Sequence, residues 1–171
     1  GKPVVALVAA GSALRVQDGN AILYAWYPGQ AGGTAAADLL FGRVSPSGRL
    51  PVTFYHGVED LPEFTDYRMA GRTYRYFTGT PLYPFGYGLS YARFVYERAD
   101  VQGDTLTVTL RNAGDMDADE VVQAYIHAVD SPDRTPNPRL CAFERVHLRA
   151  GETRTVSLTL PQEAFTVTDE A

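Results

Sequence analysis

Four carboxylates share one eight-residue stretch: Glu59, Asp60, Glu63 and Asp66. Paired carboxylates are what glycoside hydrolysis requires, one as acid and one as nucleophile or base. The spacing here singles out no catalytic pair, and a solvated acidic loop is the plainer account. The sharper account has Asp66 hydrogen-bonding sugar hydroxyls. Just downstream, Gly71-Arg72-Thr73-Tyr74-Arg75-Tyr76-Phe77 sets two arginines among three aromatics. Arginine stacks on aromatic faces and pairs with carboxylates in a fork. The string therefore fits a brace of stacked rings and buried guanidinium groups. It also fits a carbohydrate platform, because tyrosine rings stack on sugar faces. On the platform account the substrate-binding candidates are Asp66, Arg72 and Tyr74.

Other chemistries find less support. A Ser/His/Asp hydrolase built on a nucleophile elbow needs Gly-x-Ser-x-Gly, which is absent. Gly86-Tyr87-Gly88-Leu89-Ser90 has glycine spacing like a phosphate loop, but no lysine follows and no strand-to-helix setting surrounds it. His56, His127 and His147 lack metal-ligand spacing, so no metal is expected, and no cofactor either. Cys141, the single cysteine, rules out an internal disulfide and a multi-cysteine zinc site. It fits a small apolar strand residue. The net charge of −5, with no run of Lys/Arg, argues against nucleic acid and against an anionic membrane as partners. No apolar stretch reaches the length of a membrane-spanning helix.

The elements that must position these residues change character along the chain. Residues 3–9 and 21–27 are continuous apolar runs, the mark of parallel strands buried on both faces. The first of them precedes small residues, but it is β-branched and follows no initiator Met, so a signal peptide is rejected. Ala36, Leu39 and Leu40 at helical spacing, with Gly42 behind them as a cap, predict a helix over about residues 31–41. Ser45-Pro46-Ser47-Gly48 is turn chemistry, and Leu50-Pro51-Val52-Thr53-Phe54 predicts a short strand. Strand, strand and helix imply an α/β layer. Its strands are too few to close a core, so an apolar face should stay uncovered. Regularity then fades over residues 55–91, which hold seven of the chain's eleven tyrosines. An irregular stretch of this length is functional or packs over something larger.

Beyond Tyr91 the period becomes two. Thr105-Leu106-Thr107-Val108-Thr109-Leu110 alternates strictly, and further strands are predicted over 120–127, 140–148 and 153–160. Turns fall at 112–115 and 150–152, and a Pro-rich connection at 131–138. Short strands with turns between them predict an antiparallel β-sandwich, five or six of whose usual seven strands are visible. The opening strand and the strand pattern over 165–171 both look like cut ends.

At this point the strings resemble a known family. Ala25-Trp26-Tyr27-Pro28-Gly29-Gln30, Gly32-Gly33, Asp38-Leu39-Leu40-Phe41-Gly42 and Pro46-Ser47-Gly48-Arg49-Leu50-Pro51-Val52-Thr53-Phe54 look like the C-terminal α/β domain of family 3 glycoside hydrolases. The 71–77 string and Pro81-Leu82-Tyr83-Pro84-Phe85-Gly86-Tyr87-Gly88-Leu89-Ser90-Tyr91 extend the match. The second of these resembles the family's link into its fibronectin type III-like domain, and residues 92–171 resemble that domain. The fold class implied is a partial α/β layer over 1–91, followed by an all-β fibronectin type III-like (immunoglobulin-like) sandwich over 92–171. The family comprises exo-acting, retaining β-glucosidases and β-xylosidases. Its nucleophile Asp belongs to an upstream barrel domain, and its acid/base Glu precedes the stretch matched by residues 1–10. No catalytic residue is therefore expected in this chain. Ala31 stands where members often carry Glu, so Gln30 is given no catalytic role. The form around Met69-Ala70-Gly71 through Phe77 resembles the xylosidase/arabinosidase branch more than the glucosidase branch.

The resemblance implies the C-terminal part of an exo-β-glycosidase, inactive alone, that meets an oligosaccharide or aryl glycoside through the full-length enzyme and packs on the upstream barrel domain. A different class of function stays open beside it: a non-catalytic module that docks a polysaccharide or a protein partner through the tyrosine-rich stretch. The compartment, cytoplasmic or secreted, is not marked in the sequence.

Overall fold

The structure is a computed structural model that describes residues 1–17, 19–130 and 135–166. The first part of the predicted 131–138 connection, and the strand pattern over 165–171 from residue 167 on, lie outside the described residues.

The first layer is open. Strand β1 (Val5–Val8) runs parallel to β2 (Ala21–Tyr24), with Val5 opposite Ala21 and Val8 opposite Tyr24. Both are shorter than the apolar runs that contain them. β2 ends early because Trp26 takes a left-handed φ of 51°, an outlier for a bulky side chain. That turn brings its ring to 4.8 Å from Tyr24 and 6.3 Å from Phe54, between ring centroids. The predicted burial on both faces is not found. Val4, Val5, Leu7 and Leu14 are exposed, as the shortage of strands requires. Helix α1 (Gly32–Leu40) follows. It closes as expected at Gly42, whose φ of 67° lets its N–H reach the Leu39 carbonyl at 3.0 Å.

The strand predicted over 50–54 reduces to an isolated bridge between Phe54 and Tyr83. Around it the chain still pairs with the later segment. Leu50 N–H donates to Tyr87 O at 2.8 Å, Gly86 N–H to Leu50 O at 2.8 Å and Phe54 N–H to Tyr83 O at 2.9 Å. Pro51 and Pro84 interrupt this ladder from both sides, since neither has an N–H to give.

The sandwich is regular. Strands β3 (Phe94–Gln102), β4 (Thr105–Asn112) and β7 (Thr153–Thr159) make one antiparallel sheet in the order β3-β4-β7. β5 (Ala118–Ile126) and β6 (Arg139–Leu148) make the other. The alternating residues Val108, Leu110, Val122, Ala124, Val146, Leu148, Val156 and Leu158 meet between the sheets, and Leu160 closes the core. Full burial of one such side chain stabilises by ~1.5–3 kcal/mol. Cys141, in β6, packs against this core and directs its thiol to Ala124 O. Asn112 is fully buried yet satisfied. Its amide donates to Met116 O and Leu148 O, and its carbonyl oxygen accepts from Gly114 N–H. The predicted turn at 112–115 is thus fixed by a side chain.

Candidate functional site

The loop that carries the acidic cluster is built around two arginines. Asp66 N–H donates to Glu63 O at 2.9 Å, which closes a turn over residues 63–66. The Asp66 carboxylate accepts from the Arg68 amide at 3.0 Å, from Nε at 3.0 Å and from an Nη at 2.8 Å. The hydrogen bonds from the Arg68 side chain and amide hold the Asp66 carboxyl down at about 2. At neutral pH Asp66 is an acceptor only and has no proton to give as a general acid. Arg72 forks onto backbone rather than carboxylate, donating to Glu63 O at 3.0 Å and Asp66 O at 2.7 Å. Nearby, Asp60 accepts from His56 N–H at 2.9 Å.

Tyr74 lies in the next element, the single turn α2 (Thr73–Tyr76). That turn starts at a left-handed Thr73, φ 56°, whose N–H is taken by the Tyr55 hydroxyl at 2.8 Å. The Tyr74 ring lies flat on Phe85, 4.1 Å between centroids, and its hydroxyl accepts the Leu140 N–H of β6 at 3.1 Å. Asn137 clasps the same turn, its amide donating to Tyr74 O at 2.9 Å and Phe77 O at 2.7 Å. Arg75 sits over the Tyr76 ring at 5.5 Å, and its Nε is buried without a hydrogen-bond partner. The structure therefore brings Asp66 and Arg72 together in one loop. It sets Tyr74 apart from them, as a post between the seam and the sandwich.

The seam over 81–91 joins the two patterns through side chains that sequence reasoning missed. Arg49 reaches from the first layer into the end of the sandwich, where one Nη donates to both Glu120 oxygens at 2.7 and 2.8 Å. The pair is desolvated, with 13% and 8% of the two side chains exposed. The Tyr96 phenol beside it is pushed up to about 12 by burial and then by the Glu120 charge. Gln123 of β5 donates to Gly86 O at 3.1 Å, and Tyr125 donates to Gln123 at 2.7 Å. Ser45 and Ser90 share a hydroxyl contact of 2.8 Å, and the Tyr91 N–H donates to Ser45 Oγ at 2.9 Å. Gly88 packs against Gly48 O and the Arg49 guanidinium so closely that a Cβ would collide with both. The one signal available for this lock was Glu120 itself, a charge in phase with Ala118, Val122 and Ala124 on the buried face.

The histidines do not converge. His147 Nδ1 meets Asp119 at 2.7 Å on the sandwich surface, His127 meets Thr135 O at 3.1 Å, and His56 lies in the loop. Burial raises the Asp119 carboxyl, but hydrogen bonds from His147 and Arg145 outweigh it and hold the group low.

With this architecture in place, residues 1–91 match the model of the glycosyl hydrolase family 3 C-terminal domain. The chain belongs to glycosyl hydrolase family 3. Residues 120–171 match the fibronectin type III-like domain. A xylan 1,4-β-xylosidase of Xylanibacter ruminicola is 43% identical over 175 residues, covering 96% of this chain and 20% of that protein. A periplasmic β-glucosidase of Salmonella typhimurium is 35% identical, covering 96% of this chain and 25% of its own length. The crystal structure of a family 3 β-glucosidase from Bifidobacterium adolescentis superposes with a TM-score of 0.85 at 34% identity, covering 97% of this chain and 28% of that one. The chain thus spans about a fifth to a quarter of the length of these curated relatives. Within family 3, the α/β layer and the sandwich are the expected pair of folds.

Proposed function

We propose that this chain is the C-terminal part of an exo-acting β-glycosidase that hydrolyses terminal β-linked sugars, a β-xyloside or a β-glucoside, by a retaining mechanism. The catalytic carboxylates lie upstream of it. The observation that carries this reading is the 43% identity to the xylosidase, sustained over 96% of the chain. In this proposal residues 1–91 complete the α/β domain and residues 92–171 form the sandwich that braces it. The exposed face of β1, with Val5 and Leu7, packs on upstream chain. Asp66, Arg72 and Tyr74 serve the substrate indirectly, since Asp66 and Arg72 fix the loop and Tyr74 fixes the loop's support to β6.

The full-length protein should release aryl alcohol from aryl β-D-xylosides and β-D-glucosides, with the β-anomer as first product. The 171-residue chain alone should release none. The proposal falls if the full-length protein turns over neither substrate, and the upstream placement falls if the isolated chain turns over either at enzyme-like rates.

A further inference from the structure

The two outer faces of the sandwich differ in kind. A shallow trough on the β3-β4-β7 face is lined by Arg98, Asp100, Gln102, Thr105, Thr107 and Thr109, with no apolar side chain among them. The polar row continues into β7, where Thr109 and Thr155 share a hydroxyl contact of 3.1 Å. Covering such a face would cost free energy unless each polar group found a new partner.

The β5-β6 face is apolar in its middle. Phe143, 65% exposed, stands directly opposite Gln123 in the register, and Val121 with Arg145 makes the next outward pair. Tyr125, 42% exposed, follows Gln123 on the same face. Side chains opposite each other on one face of a sheet approach to about 5 Å at Cβ. Phe143 therefore borders Gln123, and Gln123 already belongs to an interface. It donates to Gly86 O of the seam at 3.1 Å and accepts from the Tyr125 hydroxyl at 2.7 Å. Gly86 lies so close to both side chains that a Cβ would collide with them. Three residues before Phe143 on β6, the Leu140 N–H donates to the Tyr74 hydroxyl at 3.1 Å. The first layer thus already rests on this face, and its cover stops with the Phe143 ring still open.

Size and tether decide the occupant. One aromatic ring offers about 150–250 Å², far below the ~1,200 Å² that two separate molecules bury in a specific interface. A segment of the same polypeptide meets no such threshold, because the seam already holds the two sides together and the cost of association is spent. The relatives have such a segment to offer, since this chain covers 20% of the xylosidase and 25% of the periplasmic β-glucosidase. We propose that the patch centred on Phe143, on the outer face of β5-β6, is a surface on which chain upstream of Gly1 packs in the full-length protein, while the β3-β4-β7 face stays in water. The proposal rests on the reading of this chain as the C-terminal part of a longer protein, and not on the reaction that protein catalyses.

The test is photo-cross-linking of the full-length protein, with p-benzoylphenylalanine placed at position 143 in one sample and at position 107 in another. Irradiation should join position 143 to peptides upstream of Gly1 within one molecule, and should join position 107 to none. The packing is overturned if position 143 yields no upstream peptide, if it links two copies instead, or if position 107 yields upstream peptides as readily. Phe143→Ala gives a second measurement. It should lower the thermal midpoint of the full-length protein by about 2–4 °C, whereas Thr107→Ala should leave it in place and Phe143→Leu should keep most of the parent value. An unmoved midpoint in Phe143→Ala overturns the packing as well. Aryl glycoside hydrolysis by the same samples separates the two readings. Upstream cross-links with no hydrolysis keep the packing and remove the glycosidase. Hydrolysis without upstream cross-links removes the packing alone.

Discussion

Leu148 in β6 and Leu7 in β1 are both strand leucines, yet Leu148 is 0% exposed and Leu7 48%. The difference lies in what each strand finds opposite it. β6 pairs with β5 and faces a second sheet of three strands, so alternate side chains have a ceiling to pack against. β1 pairs only with β2 among the described residues, and its Val5 and Leu7 face stays exposed. Local sequence makes a strand in both places, but only layering makes a core. The first layer consequently depends on its ties to the sandwich: Arg49 to Glu120, Tyr74 to Leu140 and Asn137 to the turn at Tyr74.

The sharpest way to break that dependence is Glu120→Ala. It leaves Arg49 desolvated with no counter-charge, and removal of one partner from a buried pair destabilises by about 3–5 kcal/mol. Urea denaturation of the chain should show a loss of that order. Replacing both partners, Arg49→Met with Glu120→Leu, should recover much of it, because packed apolar groups of similar volume substitute well for a buried ion pair. A single variant within about 0.5 kcal/mol of the parent would mean the pair is effectively solvated.

A second comparison tests the leucines directly. Leu148→Ala should lower stability by about 2–5 kcal/mol, since the sandwich core cannot collapse around the hole. Leu7→Ala in the same chain should change it by less than about 1 kcal/mol, because half the side chain is already in water. Equal losses would show that β1 is buried in solution, by self-association or otherwise. In the full-length protein the Leu7 effect should grow toward that of Leu148 if upstream chain covers β1.

How much of this was legible in the sequence follows the same divide. The strict alternation of 105–110 and the runs at 120–127, 140–148 and 153–160 reappear as β4 to β7, because each strand finds its neighbours within this chain and one face is wet. β3 was not anticipated. It is an edge strand, exposed over most of its length, with a bulge between Tyr96 and Arg98 that spoils the period of two. The continuous apolar runs at 3–9 and 21–27 correctly signalled strands but overstated their burial. Burial depends on partners far along the chain, and hydropathy cannot count them. The Arg49–Glu120 lock spans 71 residues, and only the misplaced charge in β5 hinted at it. In the loop, residue types suggested sugar contact for Asp66 and Arg72, whereas the structure gives their charged groups to Arg68 and to backbone carbonyls.

The smallest expected effect separates the regions by pH. Asp66 is held at about 2 by Arg68, below the ~3.9 of a free aspartate. A depressed carboxyl contributes order that is complete above the unfolded value and is lost as pH falls through the folded one. Tyr96 is raised to about 12, above the ~10 of a free tyrosine. A raised phenol contributes stability that is complete below the unfolded value and is lost as pH rises through the folded one. Acid should therefore loosen the loop over 63–72 first, between about pH 4 and 2, while alkali should loosen the sandwich end at Glu120, between about pH 10 and 12. NMR titration of the Arg68 amide and of the Tyr96 ring checks both. The Arg68 shift should move with a midpoint near 2 and vanish in Asp66→Asn. The Tyr96 midpoint should fall toward that of a free tyrosine in Glu120→Gln, because the negative neighbour that opposes ionisation is gone while burial remains. An ordinary Asp66 midpoint would mean that its contact with Arg68 is not formed in solution, an ordinary Tyr96 midpoint that the phenol is not buried beside Glu120, and the contrast between a self-tied loop and a buried lock would be lost.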